Sequence, residues 1–185
     1  MKRIVLLFIV LCNAICIAHA QTTDTAKSES AHPSLMSLGL DLGSAAGITR
    51  NTFNSTMGVS FKFEFPFPTK GLYLTLSAAY ENFSTKNTPA LDTMQNGHYI
   101  PLLAGLKYFV YKPIYIEGDI GESFNINSPF FGYQTAFIYS PVVGVSLPIQ
   151  KNNAAIDIGV KYESRRSDAG NINQYAIRIA YKFKL

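Results

Sequence analysis

Tryptophan is absent, histidine occurs three times, cysteine twice, and charged residues make up only 15% of the chain. Both cysteines, Cys12 and Cys16, fall within the first twenty positions. The rest of the chain therefore has no disulfide, no thiol nucleophile and no cysteine-based metal site. No apolar run after residue 20 approaches the roughly 20 residues that a membrane-crossing helix needs. Sixteen Lys and Arg stand against twelve Asp and Glu, and no basic cluster is dense enough to suggest a nucleic-acid partner. Tyr and Phe, by contrast, are abundant.

The first twenty residues, "MKRIVLLFIVLCNAICIAHA", have a basic start at Lys2 and Arg3, an apolar run, and Ala18-His19-Ala20 before Gln21. That layout predicts a cleaved secretory signal peptide over 1–20. Residues 21–33, "QTTDTAKSESAHP", are polar, close on Pro33 and predict a flexible leader. The remaining residues, 34–185, have the length of one domain.

From Pro33 onward a two-residue period starts and hardly stops. Met36, Leu38, Leu40 and Leu42 alternate with Ser37, Gly39, Asp41 and Gly43. Met57, Val59, Phe61, Phe63 and Phe65 alternate with Gly58, Ser60, Lys62 and Glu64. Six further runs repeat the pattern, centred on Leu76, Leu106, Ile116, Val143, Ile158 and Ile179. No run shows a helical period, and Pro or Gly punctuates most boundaries. The joints "PFPTKG", "YKP" and "QKNNA" are short. The joints "ITRNTFN", "STKNTPALDTMQNG", "NINSPFFG" and "RRSDAGN" are on average longer and polar. Short and long joints taking turns predict an all-β fold, an eight-stranded antiparallel up-and-down barrel with one plain and one elaborated end.

Alternation alone fits a soluble lipid-binding barrel with its apolar face inward as well as a transmembrane barrel with that face outward. Volume separates them. An eight-stranded barrel has an interior only just filled by side chains, and the large apolar and aromatic residues of one face are too many for it. The other face is rich in Gly, Ala and Ser with scattered charges, which suits a narrow polar lumen. Runs of ten or more residues also match a tilted crossing of a bilayer, and aromatics gather near run ends, as at two membrane interfaces.

The eight amphipathic runs, the "YIPLLAGLKYF" strand and the ending "YAIRIAYKFKL" resemble the small outer-membrane β-barrel family. It comprises the barrel domains of outer-membrane proteins A and X and single-domain "porin family" barrels of Gram-negative bacteria. The resemblance implies location in the outer membrane and insertion by the barrel assembly machinery. It also implies contact with outer-membrane lipids and lipopolysaccharide. In that family the last strand carries the assembly signal, here Tyr181, Phe183 and Leu185, and the last run is expected to close against the first. Some such barrels are lipid-modifying enzymes built on a histidine near Ser or an acid. The candidate is His98, with Glu81 or Ser84, and an ordinary interface residue is the favoured alternative. His32 lies in the leader.

The expected role is therefore non-enzymatic, supporting outer-membrane integrity or making surface contacts through the loops. A narrow channel is the runner-up, and no cofactor or metal is called for. The inner face is expected to hold a lumen charge network of Asp41, Lys62, Glu64, Lys107, Glu117, Asp119, Asp157, Lys161, Arg178 and Lys182. Glu81, Glu163 and Lys184 share its parity. Buried charges must be paired to be tolerated, so the network should plug the lumen. The tight "YKP" joint places Lys107 opposite Glu117, and counting from the same end brings Asp157 near Lys182 and Asp41 near Arg178. Surface contacts are expected at Phe130 and Phe131 in one loop and at Arg165 and Arg166 in another, the arginines meeting lipopolysaccharide phosphates. "DTA" and "DTM" make Thr25 and Thr93 candidates for O-glycosylation.

Overall fold

The computed structural model describes residues 33–86, 96–127, 134–149, 154–167 and 170–185. The expected signal peptide and nearly all of the expected leader, with Thr25 and His32, lie outside the described residues, as do Thr93, Phe130 and Phe131. Eight strands succeed one another: β1 (Leu35–Ala46), β2 (Phe53–Pro66), β3 (Leu72–Thr85), β4 (Gly97–Tyr111), β5 (Ile114–Asn125), β6 (Thr135–Ile149), β7 (Ala154–Ser167) and β8 (Gly170–Lys184). Each pairs antiparallel with its neighbours in sequence, and β1 also pairs with β8, so the sheet closes into an up-and-down barrel. Closure satisfies the main-chain groups that an open edge would leave bare.

The strands are 12 to 15 residues long. Successive side chains point to opposite sides of a strand, so the apolar set and the polar set separate onto the two sides of the wall. The outward set includes Leu38, Leu40, Val59, Leu106, Ile120, Val143, Val160 and Ile179, all exposed. The inward set is buried and mostly polar or charged. A soluble barrel with an apolar interior is therefore excluded.

Register follows the turns. Lys107 stands opposite Glu117 across β4 and β5, and Asp41 stands opposite Arg178 across the closing seam. The β2–β3 turn is held by the Phe67 amide donating to Leu72 O at 2.9 Å and the Leu72 amide donating to Thr69 O at 3.2 Å. Gly71 in that turn has φ +78°, a left-handed conformation that a side chain would resist.

Two joints differ from expectation. "RRSDAGN" is mostly strand, because β7 continues to Ser167 and β8 begins at Gly170. Part of "ITRNTFN" is a 3-10 turn, Gly47–Asn51. Its Thr49 hydroxyl accepts from the Asn173 amide at 2.9 Å and donates to Asn171 O at 3.4 Å, which pins the turn to β8.

Candidate functional site

The inward side chains stack in layers along the barrel axis. At the elaborated end lies an aromatic cap. Phe53 and Phe83 meet edge to face at 5.4 Å, Phe83 and Tyr99 at 5.2 Å, and Ile172 and Ala45 complete the cluster. The Arg165 guanidinium lies 5.0 Å from the Phe83 ring centre and 5.4 Å from that of Tyr99.

Beneath the cap Arg165 is paired with Glu81, and with Glu163 at 3.2 Å. Lys161 reaches Glu163 at 2.7 Å, Asp41 at 2.9 Å and Glu81 at 3.3 Å. The Gln174 amide donates to both glutamates, to Glu81 at 3.1 Å. In the middle layer Lys62 pairs with Glu117 and lies 4.0 Å from Asp119, whose other oxygen accepts from Thr75 at 2.8 Å. Arg178 donates to Ser60 at 2.9 Å and Ser37 at 3.0 Å.

At the plain end Lys107 bonds Asp157 at 2.6 Å and Glu64 at 2.8 Å, while Lys182 sits 3.0 Å from Asp157 and 3.5 Å from Glu64. Tyr73, Phe109 and Tyr115 close this end, with Lys107 Nζ 3.8 Å from the Tyr115 ring centre. Between the layers the lumen leaves a cavity of about 30 Å³ bordered by Asp41, Asp119 and Lys161, enough for a water or two.

The ten expected lumen residues are thus gathered inside the wall, and Lys182 meets Asp157 on the neighbouring strand as expected, but most of the other pairs do not join neighbouring strands. Lys107 faces Glu117 in register yet bonds Glu64 and Asp157. Asp41 faces Arg178 yet pairs with Lys161. Long side chains reach across a narrow lumen to whichever opposite charge is nearest in three dimensions, and register sets only the backbone.

Arg165 requires a correction. It was expected at the outer surface, but it is 0% exposed and inside the lumen, because β7 keeps its alternation two residues past Glu163. Only Arg166 remains outside, its guanidinium 5.3 Å from the Tyr139 ring centre and donating to the Tyr139 hydroxyl at 3.4 Å. Lys184, expected on the inner face, is exposed at the end of β8. Phe53, Phe83 and Tyr99 were missed as cap residues. Phe83 and Tyr99 have the inward parity of their strands. Phe53 does not, and a bulge between Phe53 and Ser55 turns it inward.

His98 points outward, stacked on Tyr80 with Nδ1 2.7 Å from its hydroxyl. Glu81 is on the other side of the wall, so the structure does not bring the two together. Tyr181 and Phe183 lie outward with ring centres 6.1 Å apart, and the Leu185 amide donates to Ser34 O at 3.0 Å.

A closed wall that is apolar outside and ion-paired inside defines the architecture of a transmembrane β-barrel. Solved structures agree on the fold. Neisserial surface protein A, NspA, is similar with a TM-score of 0.55 and 14% identity, covering 85% of this chain and 100% of that one. Ail, the attachment invasion locus protein of Yersinia pestis, gives 0.52 and 15%, covering 81% and 97%. The outer membrane protein Ail in a phospholipid bilayer nanodisc gives 0.52 and 16%, covering 82% and 99%. The structural neighbours are thus small outer-membrane barrels, and at these identities the likeness is one of fold. No family model matches the sequence, and no curated protein matches it.

Proposed function

We propose that this chain is an integral outer-membrane protein without enzymatic activity, a closed scaffold that supports the membrane and presents its elaborated end for surface contacts. One observation carries the proposal: every strand turns its apolar side outward while the lumen is filled by paired charges and capped by aromatics at both ends. Such a surface needs lipid as its solvent, and such a lumen leaves little room for transport. Arg166, beside Tyr139 at the elaborated end, is the residue we assign to lipopolysaccharide phosphates. Tyr181, Phe183 and Leu185 on the closing strand are those we assign to recognition by the assembly machinery.

The test is fractionation of the expressed protein and then reconstitution. The protein should sediment with outer membranes and migrate differently on gels before and after boiling. It should show no stable conductance steps in planar bilayers. Recovery in a detergent-free soluble fraction would overturn the membrane assignment, and large unitary conductance would favour the channel.

A further inference from the structure

Charge is sorted unequally between the lumen and the outside of the wall. Of the eight described acids, seven are buried in the lumen and only Glu122 is exposed. The twelve described cations divide evenly: six are buried there, while Arg50, Lys70, Lys86, Lys112, Arg166 and Lys184 lie outside the lumen. Three of these six mark the plain end, one to a joint. Lys70 is in the β2–β3 turn, Lys112 in the β4–β5 turn and Lys184 at the end of β8, and all three are exposed. Residues 150–153, which join β6 to β7, lie outside the described residues.

The backbone beneath each lysine is fixed. The Phe109 amide donates to Gly71 O at 2.9 Å, which ties the first turn to β4, and the Ser146 amide donates to Pro113 O at 2.9 Å, which ties the second to β6. Lys184 stands opposite Leu35 in the closing seam, where the Leu185 amide holds Ser34 O. None of the three pairs with a described acid. Glu64 and Asp157, the acids of this end, are buried and taken by Lys107 and Lys182. A terminal carboxylate at Leu185 offsets at most one lysine.

An aromatic residue accompanies each lysine. Phe67 shares the first turn with Lys70 and Tyr111 precedes Lys112, both rings exposed. Phe183 precedes Lys184 and lies outward beside Tyr181. Each joint thus offers a ring and a cation together at the line where the apolar wall ends. Such rings settle at the level of lipid headgroups, and a lysine there keeps its stem in the apolar zone and its charge in the polar one. The matching partner joins hydrocarbon and negative charge in one molecule, whereas a free anion would leave the rings in water. We propose that Lys70, Lys112 and Lys184 form a basic rim that binds the phosphodiester headgroups of anionic phospholipids in the leaflet at the plain end. The inference rests on the membrane reading and adds a lipid selectivity that an apolar wall alone does not confer.

The test is lipid selectivity at the protein surface, read from spin-labelled phosphatidylglycerol and phosphatidylcholine in vesicles holding the folded protein. The starting point is the variant R50Q/K86Q/R166Q, which removes the described outer cations of the elaborated end. It should retain the anionic lipid about twofold or more over the zwitterionic one, and less so at high salt. Adding K70Q/K112Q/K184Q should abolish that preference, with folding verified by the gel shift on boiling, since all six side chains lie outside the buried network. Equal retention of the two lipids by R50Q/K86Q/R166Q overturns the proposal and leaves the membrane reading intact. A preference that survives all six substitutions does the same. Failure of the wild-type protein to enter vesicles overturns the membrane reading itself, and this inference with it.

Discussion

Along β8 the outward residues Tyr175, Ile177, Ile179 and Tyr181 are 47% to 59% exposed, whereas the inward residues Gln174, Ala176, Arg178, Ala180 and Lys182 are 7% exposed or less. In a water-soluble domain the two sets would change places. Here the apolar side is left uncovered by the rest of the described chain and the charged side is wholly enclosed. The two sides are consequently held by different forces. The outside depends on an apolar solvent, which tolerates any side chain of suitable polarity. The inside depends on geometry, because each buried charge must find its opposite within a few ångströms.

The largest effect should come from breaking the inner side at its most connected point. Arg165→Ala leaves Glu81 and Glu163 short of a cation beneath the aromatic cap and should cost about 3–5 kcal/mol, measured by denaturant unfolding of the reconstituted protein. Next is the outer side near mid-wall, where Ile179→Lys should cost about 2–4 kcal/mol. If that variant unfolded at the same denaturant concentration as the parent, the outward side would not be facing lipid.

A pair of glycines then compares the two sides with the same added atom. Gly105→Ala places a Cβ 2.1 Å from Asp119 Oδ1 and 2.3 Å from Gly118 O, and overpacking of this kind costs about 1–3 kcal/mol. Gly118→Ala, on the adjacent strand, points outward with nothing within 4 Å and should be close to neutral in the same unfolding series. The smallest stability effect should be that of Arg166→Ala, whose exposed guanidinium contacts the ring and hydroxyl of Tyr139. Its expected signature is weaker retention on phosphate-bearing lipid vesicles with unfolding unchanged.

The alternation of residues dictated which side chains face in and which face out, because neighbouring Cβ atoms on a strand diverge whatever the rest of the molecule does. Turn length extended that local rule to register, so Lys107 could be set opposite Glu117 and Asp41 opposite Arg178 from spacing alone. Arg165 was legible too, as the next inward position after Glu163, but the polar stretch "RRSDAGN" masked the strand that continues through it. Other features depended on the assembled barrel. Phe53 turns inward only because a bulge adds a residue against β3, and nothing in its parity announces this. Lys107 with Asp157, Lys62 with Glu117 and Lys161 with Asp41 join strands that are not neighbours, across a lumen whose width and stagger exist only once β8 has closed on β1. Local geometry assigns a side chain to a face, whereas the partner it meets there is decided by closure of the whole wall.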